Sequence, residues 1–251
     1  MTTDTALPPW EALKALAEAG DSERLEKFMG AIGPTESFRA LLRLSPEDRE
    51  MVLTRISPEE AADLFEEIPE EHAADIIEEL APTTAAQIID EMESDDQVDV
   101  LASMEAENAA AVVAEMDPEE AEDVKERIGY PRFTAGGLMV TEVFAYPETA
   151  SVGDVIDDLS SRAGDEEDVG PEAHVYVISG SGKLVGVLDL RDLVLTRRST
   201  ALSVVLKSPL YVNADTELDE LDDFFDKYDF HAVPVIDPRQ HLIGMVRRSA
   251  V

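Results

Sequence analysis

Residues 44–91 read LSPEDREMVLTR, ISPEEAADLFEE, IPEEHAADIIEE and LAPTTAAQIIDE, four rows of twelve residues in register. Three further rows follow from Met92: MESDDQVDVLAS, MEAENAAAVVAE and MDPEEAEDVKER. The first column holds Leu44, Ile56, Ile68, Leu80, Met92, Met104 and Met116, with Ile128 next. The ninth holds Val52, Leu64, Ile76, Ile88, Val100, Val112 and Val124, and the sixth holds Ala61, Ala73, Ala85, Ala109 and Ala121. A fixed period of this length calls for stacked like units, so this half is expected to be an all-helical superhelix of short helices.

Each row reads as one helix. Ser45, Ser57 and Asp117 are N-cap residues, each followed by proline (Pro46, Pro58, Pro118) at the first helical position, where a missing N–H costs nothing. Pro69 and Pro82 mark neighbouring starts. Row positions 1, 5, 8 and 9 are expected to form the buried face, packed on the next row. Helices this short are marginal in water, so stacking has to hold them. Upstream, Trp10–Ala19 and Ser22–Met29 read as two more helices.

The 251 residues carry a formal charge of −36 and no cysteine. Disulfides and thiolate metal sites are excluded. With no basic patch to neutralise phosphates, nucleic acid is an unsuitable partner. The acidity has two readings: a surface whose carboxylates repel until a divalent cation bridges them, or a solvated surface adapted to salt. No run approaches a membrane span and no signal peptide is visible, so a soluble, cytoplasmic chain is expected. The four histidines are scattered, Ser179-Gly180-Ser181-Gly182 is a hairpin turn, and nothing assembles a catalytic constellation; an enzyme is not expected.

Gly129, Tyr130 and Pro131 end the repeat, and Gly136-Gly137 suggest a flexible stretch after it. A second internal repeat then appears with an offset of 58 residues: LVGVLDLRDL from Leu184 aligns with LIGMVRRSAV from Leu242. Each copy reads as an amphipathic helix (152–159; 218–225), an apolar strand (175–178; 232–236), a polar turn and a second strand (184–188; 242–246). The first copy enters a further helix at 191–195; the second ends there. The expected architecture is α plus α/β, with domains at 1–130, 131–200 and 201–251.

The β-α-β-β-α order in two copies resembles a tandem pair of CBS domains. Together with the acidic repeat, the strings AGGLM (135–139) and YDF-x-x-x-PV (228–235) resemble the cytoplasmic half of the MgtE magnesium transporters. That resemblance implies a homodimer through the CBS domains beneath a membrane pore on its cytoplasmic face. It also implies Mg2+ bound in acidic interdomain seams to favour the closed pore. The transmembrane pore domain is absent from this sequence, so a fragment of a longer transporter is expected rather than a free-standing relative. Implied magnesium ligands are Asp63, Asp95 and Asp99 in the first half, and Glu217, Asp219, Asp226, Asp229 and the Gly137 carbonyl in the second.

The CBS likeness further implies ATP in a cleft at His174, Arg191, Asp192 and Phe230. The first copy keeps the Asp of the G-h-h-[ST]-x-x-D string (Asp192), beside an arginine suited to phosphate (Arg191), but has Asp189 at its hydroxyl position; the second has Arg247 there and Ala250 for the Asp. Two other classes remain: a soluble CBS module sensing adenine nucleotides, and a helical-repeat interaction protein.

Overall fold

The computed structural model describes residues 7–162, 174–228 and 230–251. The chain divides into two compact units, Met1–Glu126 and Arg127–Val251.

Ten helices follow one another from the start: α1 (Pro9–Ala19), α2 (Ser22–Ile32), α3 (Pro34–Leu41), α4 (Pro46–Leu53), α5 (Pro58–Glu66), α6 (Glu70–Ile77), α7 (Pro82–Ile89), α8 (Ser94–Ser103), α9 (Ala106–Val113) and α10 (Pro118–Arg127). Each twelve-residue row is one helix, α4 to α10. Ser45 and Ser57 cap as their positions require, accepting the N–H of Asp48 and of Glu60, each at 3.2 Å.

The buried face differs from the expected one. Row positions 1, 6, 7, 9 and 10 carry the core, as Ile56, Ala61, Ala62, Leu64 and Phe65 do in α5. Positions 5 and 8 are acidic in the two rows that matter most, Glu60 and Asp63, then Asp96 and Asp99, and they stay outside the core cluster. The reason is partner geometry. α5 packs on α7, α6 on α8 and α7 on α9, so a helix meets the next row but one, and two stripes are buried in place of one. Alanines at positions 6 and 7 let these axes approach.

Two sixth-column positions break the alanine pattern. Arg49 reaches Glu79 at 2.8 Å and the Leu44 carbonyl, and buried Gln97 donates to the Met92 carbonyl at 3.0 Å. Both bond back to position 1 of their own row.

Among its described residues, the second unit holds two three-stranded sheets. The first is ordered β1 (Phe144–Pro147), β2 (His174–Ile178), β3 (Leu184–Asp189); the second β4 (Val212–Asn213), β5 (Ala232–Ile236), β6 (Leu242–Arg247). In each, the outer pair is parallel and the hairpin pair antiparallel, with a register shift at Val177/Ile178 and, 58 residues on, at Val235/Ile236. The helices are α11 (Ala135–Leu138), α12 (Val152–Arg162), α13 (Leu190–Leu195), α14 (Leu202–Val205) and α15 (Leu218–Tyr228), and a 3-10 turn spans Arg248–Ala250.

The segments preceding the two copies are exchanged. Residues before the first copy dock on the second sheet: Ala135 donates to Thr216 O, Gly136 to Ala214 O, and Val140 exchanges hydrogen bonds with Met245. Residues before the second copy dock on the first: Lys207 exchanges with Val187, and Leu202 donates to Ala150 O. Gly186 and Gly244 permit this, because a Cβ at either would lie 2.6 Å from Leu206 or from the Val140 carbonyl. The expected flexibility at Gly136-Gly137 is corrected. A Cβ there would sit 2.6 Å from the Tyr130 ring and 2.5 Å from the Pro131 carbonyl, so these glycines serve close packing.

Candidate cation site and nucleotide cleft

Among the described residues, an acidic group close enough to share a cation lies where α8 begins. Glu93 occupies the N-cap position, where Ser45 and Ser57 stand in earlier rows, and makes no side-chain cap. Asp95 and Asp96 follow in the first turn, where the helix dipole favours negative charge. One carboxylate oxygen from each of Glu93, Asp95 and Asp96 lies within 4.8 Å of the others. Burial, then Asp95, Glu66, Glu93 and Asp99, push the Asp96 carboxyl up to about 7. The dipole is therefore outweighed by crowding and desolvation.

Glu66, at the end of α5, accepts the backbone N–H of Glu93 at 2.6 Å. Burial raises its pKa against that hydrogen bond, and Glu93, Asp63 and Asp95 raise it further. Burial also raises Asp63. The expected acids Asp63, Asp95 and Asp99 thus belong to one electrostatic neighbourhood, with Glu66, Glu93 and Asp96 added to it. Sequence reasoning passed over these three. Glu93 had a legible signal, an unsuitable residue in the N-cap column; Glu66 shares its column with Glu78 and Asp90, a pattern whose purpose needed the stacking geometry. The donor set is all hard oxygen, which fits Mg2+ or Ca2+ and no soft metal.

In the second unit the expected acids are dispersed. Glu217 and Asp219 are exposed at the start of α15. Glu217 bridges Thr134, whose carbonyl accepts the Gly137 N–H at 3.0 Å, so Gly137 and Glu217 share a neighbourhood. Asp226 lies seven residues beyond Asp219 on α15, about 10 Å along the axis, and pairs with Arg248 at 3.2 Å. Asp229 lies outside the described residues.

At the end of the first sheet, Asp189 and Asp192 form a capping box at α13. Lys207 Nζ lies 2.8 Å from Asp189 and 2.6 Å from Asp192, lowering the Asp192 pKa, and His174 Nε2 is 3.9 Å from Asp189. Arg191 is exposed beside them. Phe230 packs against the core of the second sheet, in contact with Phe224 and stacked on Tyr228. His174 and Asp192 are joined through Asp189 and Lys207; Phe230 belongs to the other copy.

Residues 32–132 match the MgtE intracellular N domain, and residues 135–198 and 202–251 each match the CBS domain. The magnesium transporter MgtE of Thermus thermophilus is 34% identical over 125 residues, and that of Enterococcus faecalis 32% over 127. These alignments cover 49% and 50% of this chain and 27% of each relative, so the match spans about a quarter of the relatives' length. The crystal structure of the soluble part of a magnesium transporter superposes with a TM-score of 0.82 at 28% identity, over 96% of this chain and 94% of that one. The cytosolic domain of the Mg2+ channel MgtE in complex with ATP gives 0.80 at 28% identity, over 96% and 98%. No helix among the described residues is long and apolar enough to cross a membrane. An MgtE intracellular N domain followed in sequence by two CBS domains makes this chain a member of the MgtE family.

Proposed function

We propose that the chain is a magnesium-sensing regulatory region, which binds Mg2+ at acidic clusters and so favours the closed pore of a magnesium transporter. The observation that carries the reading is the crowding of Glu93, Asp95 and Asp96 at the start of α8. Two unit charges 4 Å apart repel by about 4 kcal/mol at a protein-surface dielectric. A cation held by these carboxylates removes that cost. Mg2+ keeps several of its waters and needs only one or two carboxylates, which gives the weak affinity suited to an abundant ion. Asp63 and Asp99 extend the cluster; Gly137, Glu217, Asp219, Asp226 and Asp229 are the proposed ligands of the second unit. The names of the relatives, magnesium transporters, point to the same ion.

The test is heat unfolding of the full chain in MgCl2 and in NaCl at equal ionic strength. A ligand that binds only the folded state raises the melting temperature. The reading expects a larger rise in MgCl2. Equal rises would reduce the effect to screening.

A second ligand has its own support. The ATP complex of a 28% identical structure favours an adenine nucleotide as that ligand, and His174, Arg191, Asp192 and Phe230 are the residues proposed to hold it. The region is further proposed to act as a homodimer through its CBS half, where Val194, Leu195 and Val204 on α13 and α14 are 78, 73 and 75% exposed.

A further inference from the structure

A hydrogen bond recurs along the stack at a spacing of 27 residues. Glu66 accepts the N–H of Glu93, Glu78 that of Glu105, and Asp90 that of Asp117. In each case a carboxylate at row position 11 serves the residue at position 2, three rows on. The amide served is that of the N-cap residue of α8 or α9, or of the residue before Pro118. Glu26 does the same for Ser57 at the start of α5, at 3.0 Å. None of these carboxylates lies on the helix it serves. Those at row position 11 tie the end of one row to the beginning of a distant one, and Glu26 ties α2 to α5.

Among the described residues, no acidic triad gathers at the starts of the helices that the other three bonds fasten. The bond from Glu66 fastens the helix whose first turn gathers Glu93, Asp95 and Asp96. Its acceptor oxygen is held on the amide of Glu93 itself, so the placement of that residue, and of the turn after it, depends on Glu66. We infer that Glu66 is a positioning residue for the cation site at the start of α8, acting through the Glu93 amide and not as a ligand. This rests on the magnesium reading above.

Glutamine at position 66 keeps an acceptor oxygen for that amide, whereas alanine removes it. Asp90 supplies the control: it makes the equivalent bond to Asp117 at 3.2 Å, and its charged neighbour is Asp117, not the α8 acids. The experiment is a MgCl2 titration at constant ionic strength, followed by the backbone amide resonances of residues 93–97 in the full chain. Glu66→Ala should raise the magnesium midpoint about tenfold, as loss of a residue supporting a ligand does. Glu66→Gln should stay within about twofold of wild type. Asp90→Ala should lose comparable thermal stability and leave the midpoint unmoved.

A purely structural role would give Glu66→Ala and Asp90→Ala the same midpoint and overturns the inference. A direct ligand role would weaken Glu66→Gln as much as Glu66→Ala and also overturns it. A wild-type chain whose amides do not respond to Mg2+ overturns the inference together with the magnesium reading; a wild-type response with unshifted variants overturns the inference only.

Discussion

Lys207 Nζ sits between Asp189 and Asp192, 2.8 and 2.6 Å from their carboxylates, at the proposed nucleotide cleft. The backbone of Lys207 is locked to Val187 by two hydrogen bonds, at 3.0 and 3.1 Å, so the ammonium arises from a fixed place. A ribose diol bound at Asp192 in the proposed cleft would have to displace it. Lys207→Met should therefore strengthen binding of adenosine, which has no phosphate to miss the lysine, by about fivefold, an exposed ion pair being a modest barrier to displace. Calorimetric titration with adenosine checks this. Unchanged or weaker binding by the variant would mean that the ion pair does not guard the cleft.

The carboxyls of Asp96, Glu66 and Asp90 are all raised, each first by burial. A carboxyl whose pKa is higher folded than unfolded contributes stability below its unfolded pKa and loses it as pH climbs through the folded value. For Asp96 that window runs from 3.8 to about 7. The first unit should therefore melt at a higher temperature at pH 5 than at pH 8. Asp96 contributes on the order of 1–2 kcal/mol of this after allowing for its partial exposure. Asp96→Asn should flatten the profile; a variant with the wild-type slope would remove Asp96 as its source.

Gly136 tests the close packing of the exchanged segment. A methyl group there meets Cγ and Cδ1 of Tyr130 at 2.6 Å, with the ring held in the core around Phe225. Gly136→Ala should destabilise the second unit by about 1–3 kcal/mol, read as a lower urea midpoint. Gly180→Ala, with nothing within 4 Å, should change little. Equal effects from the two would contradict the docking of α11.

Sedimentation tests the proposed dimer. The exposed side chains of Val194, Leu195 and Val204 are unusual for an isolated surface. Leu195→Asp should yield monomers at protein concentrations where wild type, with Mg2+ present to offset the −36 charge, sediments as a dimer. A monomeric wild type at high concentration with Mg2+ would end the proposal.

The helices of the stack were legible because proline, serine and aliphatic columns recur every twelve residues, and β2, β3, β5 and β6 because apolar runs end in turn residues. The two-sided packing was not. It depends on which rows meet, and contact between α5 and α7 leaves no mark in a single row beyond a second alanine, Ala62. The exchange of α11 and α14 was hidden for the same reason: Gly186 and Gly244 reveal a close approach but not what approaches. At the candidate cation site, Asp95 and Asp99 came from resemblance. Glu66 and Asp96 were lost among 56 acidic residues, because only burial distinguishes them from solvated neighbours.

Small-angle scattering across a magnesium titration tests the sensing claim most directly. The account predicts that the radius of gyration of the full chain falls as MgCl2 rises to about 20 mM, above the range of weak sites for hard cations, and that NaCl at matched ionic strength does not reproduce the fall. An unchanged radius, or an equal fall in NaCl, would contradict magnesium sensing and leave the acidic surface as a matter of screening.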